Sequence, residues 1–144
     1  MGYTHYWNPS LVPVFDKEIL ACLTKVIQDF GSIICFEKEQ EDRKPYLTEE
    51  GIRFNGRKEE AHETFGVMAD ESGFHFCKTA RKPYDLPVCI CLLLLNSYCP
   101  GFKLSSDGDI RGSDPSENWG KAREYISKNF RERLTEIARS RSKS

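Results

Sequence analysis

Phe76-Cys77-Lys78-Thr79-Ala80-Arg81-Lys82-Pro83-Tyr84-Asp85 gathers three cations and the Thr79 and Tyr84 hydroxyls into ten residues. It stands between a β-prone stretch and the most apolar run of the chain, Leu86 to Tyr98. A strand, a basic turn and the start of a buried helix form a familiar anion site. The first N–H groups of a helix and its dipole favour negative charge. Arg81 offers a planar fork that matches phosphate, Lys78 and Lys82 offer mobile point charges, and Thr79 offers a hydroxyl donor. The same pattern also describes a solvated basic turn. There is no glycine-rich phosphate loop, so this is not a P-loop.

Two further groups carry chemistry-bearing types. His62-Glu63 and His75-x-Cys77 could serve as a general base with its partner, or as a thiol activated by histidine, with Lys78 or Arg81 lowering the thiol pKa. A buried structural cysteine is the plainer reading of Cys77. A metal would need a third ligand from His62 or His5 on another strand, and no metal is expected. Ser105-Ser106-Asp107-Gly108 is a polar turn. Its hydroxyls suit phosphate and its carboxylate suits a ribose or a base amino group, although such residues also occur simply because they turn the chain.

The elements that must position these groups follow from periodicity. Gly2 to Trp7 reads as a strand with Tyr3, His5 and Trp7 on one face, either packed into the sheet or turned toward a ligand. Asp16 caps a helix whose stripe is Ile19, Leu20, Leu23, Val26, Ile27 and Phe30. Gly31 ends it, unless Ile33 and Ile34 carry it on to Cys35. Glu37 to Glu50 reads as a charged loop. Ile52–Gly56, His62–Val67 and Phe74–Thr79 read as three strands of an antiparallel meander. Asp85 caps the apolar helix Leu86–Tyr98, and Phe102–Leu104 is a short strand. Asp114-Pro115-Ser116-Glu117 starts a last helix with the stripe Trp119, Ala122, Ile126, Phe130, Leu134 and Ile137. The expected fold is α+β: one two-layer domain over 1–139, a mainly antiparallel sheet of about four or five strands covered by about three helices, then a disordered tail over 140–144.

The totals set the context. A chain of 144 residues with net charge −1 suits one soluble domain and does not point to a polyanion partner. Residues 121–144 do hold eight Lys/Arg against three Glu. That run reads as a solvated helix end or, alternatively, as a nucleic-acid-binding face. No secretory signal opens the chain, and Leu86–Tyr98 is too short to span a bilayer. Five of the six cysteines lie in or beside apolar stretches and no CxxC pair occurs, which points to a reducing, cytoplasmic setting.

Five pieces of the chain are familiar together: Gly2 to Trp7 (GYTHYW), Phe54-Asn55-Gly56, His62-Glu63-Thr64-Phe65, Phe76 to Asp85 (FCKTARKPYD) and Ser105 to Gly108 (SSDG). The set resembles a family of small proteins of tailed phages and bacterial genomes. The resemblance spans most of the chain and assigns no catalytic residue. It implies a viral protein at work in a bacterial cytosol, and with it a sponge that sequesters a host nucleotide signal used in antiviral defence.

The expected function is capture of a phosphorylated, nucleotide-like small molecule, with no cofactor and as a possible homo-oligomer. Lys78, Thr79, Arg81 and Lys82 would hold phosphate. His5, Tyr3, Trp7 and His62 would contact the rest of the ligand, and Ser106 and Asp107 would close the site. One alternative is an enzyme acting on a nucleotide or nucleic-acid component, with His62 or His5 as base and Glu63 as partner. Another is a nucleic-acid- or protein-binding module. The residues alone offer no convincing acid–base pair, and catalysis is not required.

Overall fold

Asp16 decides where the first helix begins. Its carboxylate accepts the N–H groups of Glu18 and Ile19, both at 3.1 Å, and so satisfies two otherwise unpartnered donors. The computed structural model describes residues 3–142; for 132–142 only the helical backbone is described. The elements run β1 (Thr4–Pro9), α1 (Lys17–Asp29), β2 (Ile34–Cys35), β3 (Tyr46–Thr48), β4 (Gly51–Gly56), a 3-10 turn (Lys58–Glu60), β5 (Phe65–Met68), β6 (His75–Lys78), α2 (Asp85–Tyr98), β7 (Phe102–Ser106) and α3 (Asn118–Ser142). This is a mixed α+β architecture whose described strands form two antiparallel sheets, one of three strands and one of four.

The core grows around α2. Every side chain from Val88 to Leu95 is buried, so this stretch of the helix has no solvent face, and exposure returns only at Asn96. It packs against α1, α3 and β7. Ile19, Leu23 and Val26 from α1 join the same apolar cluster, as do Trp119, Ala122, Ile126 and Phe130 from α3. Each large aliphatic side chain withdrawn from water here contributes about 1.5–3 kcal/mol. The expected stripe positions Leu134 and Ile137 lie outside the residues whose side chains are described. The expected tail over 140–144 falls partly on α3, whose helical backbone reaches Ser142, and partly on 143 and 144, outside the described residues. Among the described residues no helix is long and apolar enough to cross a membrane.

Several local expectations are corrected. α1 stops at Asp29, and Ile34–Cys35 is a strand against Asn55 and Gly56, not a helical extension. The charged stretch Glu37–Glu50 contains β3, whose Tyr46–Thr48 pairs with Gly51–Arg53. α3 begins at Asn118, and Asp114 through Glu117 form the turn before it.

The meander is the larger correction. β4 and β5 pair as expected, from Gly51↔Met68 to Phe54↔Phe65. β6, however, leaves that sheet and pairs with β1, from Thr4↔Lys78 to Trp7↔His75. β7 pairs with the other edge of β1, from His5↔Ser106 to Pro9↔Phe102. Closeness in sequence lost to face matching. Directly opposed residues share a side of an antiparallel sheet, so this register puts Cys77 and Ser106 beside His5 on the inner face. Tyr6, Phe76 and Ser105 lie on the outer one.

A candidate active site at the end of the three-stranded sheet

His5 sits at the middle of the order β6-β1-β7 and is fully buried. A buried imidazole must have both ring nitrogens satisfied. Its Nδ1 lies 2.7 Å from Ser106 Oγ, and its Nε2 lies 2.6 Å from Asp85 Oδ1. Asp85 is also fully buried. It accepts Asn118 Nδ2 at 2.7 Å on its second oxygen and the Thr79 hydroxyl on its first. The Cys89 thiol, 3.6 Å from Oδ2, closes the ring of donors.

Two groups in this network have fixed roles. The indole N–H of Trp119 and the backbone N–H of Gly108 can only donate, and both point at Ser106 Oγ, at 3.1 and 2.9 Å. Ser106 therefore has its own proton to give, and both His5 Nδ1 and the Tyr3 hydroxyl are partners for it. On the other side of the ring, the His5 Nε2–H is donated to the Asp85 carboxylate. The result is a hydroxyl–imidazole–carboxylate relay whose hydroxyl oxygen is cradled by two N–H groups. Ser106 is half-buried at the end of β7, between the buried histidine and solvent.

Burial pushes the Asp85 carboxyl up, but the hydrogen bond and charge of His5, with hydrogen bonds from Asn118 and Thr79, outweigh it and hold the group below the usual carboxylate value. Burial, then the negative charges of Asp85 and Cys89, push the Tyr3 phenol up to about 12. Tyr3 stacks edge-on against His5 at 5.1 Å, and Trp119 does so from the other side at 4.9 Å. The Arg81 guanidinium covers the outer face of Tyr3 at 3.9 Å from the ring centre and lies 3.6 Å from Glu117.

The basic turn is bent unusually. Ala80 and Arg81 have φ of 53° and 58°, both in the left-handed region, and Lys82 N–H closes the turn on Thr79 C=O at 3.0 Å. Two non-glycine residues there cost about 1–2 kcal/mol each. This reversal lets Thr79 face inward while Arg81 folds back over Tyr3. A second close approach lies at Gly108, where a Cβ would stand 2.0 Å from the Tyr3 hydroxyl, so only glycine brings that N–H onto Ser106.

The structure therefore brings together Tyr3, His5, Thr79, Arg81 and Ser106, while the Asp107 carboxylate faces the other side of the sheet. Asp107 accepts the Thr4 N–H at 3.0 Å and the Tyr6 hydroxyl at 3.2 Å. Lys78 is exposed on the outer face, with its N–H on Glu63 Oε1 at 2.8 Å. Lys82 is half-buried in the turn. Trp7 is buried two residues along β1 and packs on Phe65 and His75, away from solvent. His62 is exposed before β5, not on a strand, and its backbone is held by Asn55. Glu63 binds the base of the basic turn and does not touch a histidine ring in any described hydrogen bond.

Sequence reasoning missed Asp85, Asn118, Trp119 and Cys89. Asp85 does not cap α2; the residue before the helix is Tyr84, and Asp85 occupies its first turn. The anion favoured at that helix start is the protein's own carboxylate. Its signal was legible in principle: a carboxylate heading a helix with no solvent face must find buried donors. Cys77 is no activated thiol, since burial, then the charges of Glu63 and Asp85, raise it to about 12.

His5, Asp85 and Cys89 could be grouped as metal ligands, their donor atoms lying within 4.8 Å of one another. Two atoms bound tetrahedrally to one zinc stand about 3.3 Å apart. The 2.6 Å between His5 and Asp85 is the length of a shared proton, and the donor set fits a hydrogen-bonded relay better than an ion. Compared with protein-family models, curated proteins and solved structures, the chain matches none.

Proposed function

We propose that this end of the sheet is a reaction site, with Ser106 as nucleophile, His5 as its base and Asp85 as the group that orients the imidazole. The Ser106–His5–Asp85 relay is the observation that carries this reading: a nucleophile bonded to a base, and the base bonded to an ionised carboxylate. Arg81 and Lys82, in the turn beside the relay, favour an anionic substrate, and a phosphorylated nucleotide-like molecule is the class proposed. Ser106 Oγ would form a bond to phosphorus, its proton would pass to His5 Nδ1, and the bond from phosphorus to the leaving oxygen would break. Water would then release the phosphoserine. The imidazolium formed on the way rests against Asp85, which is what its buried carboxylate supplies.

A second reading, intact capture of such a ligand in the manner of a sponge, is favoured by a different observation. Both lone pairs of Ser106 Oγ are occupied by N–H donors at rest, and Arg81 is already stacked on Tyr3. One experiment separates the two. The protein is scanned against nucleotides, cyclic dinucleotides and ADP-ribose-type molecules by thermal shift and native mass. Each ligand that binds is then released and chromatographed. A ligand altered by the native chain and returned intact by Ser106→Ala supports the reaction site. A ligand returned intact by both supports capture. Absence of any stabilisation, in native chain and Arg81→Ala alike, refutes both.

A further inference from the structure

Most of the outer face of the three-stranded sheet is open: Lys78, Phe76, Ser105, Asn8 and Lys103 are exposed and Tyr6 is half-buried, while Thr4 at its end is buried. The register sets out its rows: Lys78, Thr4 and Asp107; then Phe76, Tyr6 and Ser105; then Asn8 with Lys103. Phe74, one residue before β6, extends the last row. Phe74 is 63% exposed and Phe76 51% exposed, the costliest residues on this surface to leave in water. The rings form a continuous series. Tyr6 and Phe74 stack at 6.0 Å with planes 25° apart, and Phe74 and Phe76 lie 6.2 Å apart. Beside them a cavity of about 110 Å³ is lined by Tyr6, Asn8, Phe74, Lys103 and Ser105.

We infer that this face binds single-stranded nucleic acid, its bases stacking on Tyr6, Phe74 and Phe76. The inference is independent of the relay, whose residues point to the opposite side of the sheet. Three properties select this occupant. Aromatic rings on neighbouring strands of an open antiparallel sheet offer flat platforms for splayed bases, with no groove that a duplex requires. Lys78 and Lys103 stand at opposite corners, about 16 Å apart by strand geometry, and neither ammonium is in an ion pair among the described residues. The only carboxylate on these rows, Asp107, is turned to Thr4 N–H and the Tyr6 hydroxyl. Stacking rings between free cations complement a strand whose bases are flat and whose backbone is anionic.

The test is fluorescence anisotropy with short labelled oligothymidine and oligouridine strands, and with a duplex of equal length. The single strands are expected to bind more tightly than the duplex. Phe76→Ala and Phe74→Ala, at exposed positions that leave the core intact, each weaken binding at least about fivefold. Leu11→Ala, exposed in the segment after β1, changes nothing. Two phosphate contacts give a slope of log affinity against log salt near −1.4, and Lys103→Ala flattens it by about 0.7. Absence of binding, equal affinity in the Phe76 and Phe74 variants, or preference for duplex would overturn the proposal. So would self-association that Phe76→Ala abolishes without any oligonucleotide binding.

Discussion

Asp85→Ala is the substitution with the most to say about this molecule. The carboxylate is fully buried and receives His5 Nε2, Thr79 Oγ1 and Asn118 Nδ2. Truncation orphans three donors, two of them, on His5 and Thr79, fully buried. Each such donor costs about 1–3 kcal/mol, and breaking a buried histidine–carboxylate pair from one side costs about 3–5 kcal/mol in all. With a urea dependence of about 2 kcal/mol per molar, the unfolding midpoint should fall by about 2 M. The comparison variant is Asp29→Ala, which removes an exposed carboxylate bonded to Lys25 and Tyr125 and should cost under about 1 kcal/mol. His5→Ala combined with Asp85→Ala should cost less than the sum of the singles by at least about 1 kcal/mol, because the second change removes a donor the first had stranded. The pH dependence has a definite sign. A depressed folded-state carboxyl contributes stability above its unfolded value, near 3.9, and loses it as pH falls through the folded one. The acid limb of the native curve should be steeper than that of Asp85→Ala. A loss below about 1 kcal/mol, or strict additivity with His5→Ala, would refute the buried-pair argument.

Other outcomes follow from single contacts. Gly108→Ala should destabilise the protein by more than about 1 kcal/mol, because the new methyl enters the space of the Tyr3 hydroxyl; adding Tyr3→Phe should recover part of the loss in the same urea titration. All six cysteines are buried and unbridged, and burial raises the thiols of Cys77, Cys89 and Cys91. Alkylation at mildly alkaline pH should therefore be slow in the native protein and complete in urea, as read by intact mass. Rapid native labelling of Cys77 would contradict its buried place on the inner face of β6.

How far the residues alone announced this arrangement varies by element. The Asp16 cap, the α1 stripe and the apolar α2 were legible because each is a local pattern, and local patterns survive tertiary packing. The shared face of Tyr3, His5 and Trp7 was legible for the same reason; Ser105 and Ser106, read as a turn, belong instead to β7. Which strands meet was not. β6 follows β5 closely, yet its partner is β1, some seventy residues earlier by sequence. That choice rests on which faces carry Cys77, Thr79 and Asp85, a relation invisible until α2 is in place. The basic residues drew attention to a turn whose packing they do not explain. Thr79 and Asp85, at either end of the positive-φ reversal, complete the network, while Arg81 shields Tyr3. β3 was hidden because Tyr46-Leu47-Thr48 is a short apolar signal inside a charged stretch.

The most direct test of the relay is phosphonylation of Ser106 by a fluorophosphonate, read by intact mass and peptide mapping. The reagent forms a bond from Ser106 Oγ to phosphorus and loses fluoride, with the serine proton leaving through His5. The account predicts one adduct, on Ser106, formed far faster in the native protein than in Asp85→Asn or His5→Gln, with circular dichroism confirming that both variants are folded. No adduct on the folded native chain, or an adduct formed equally fast without His5, would contradict it.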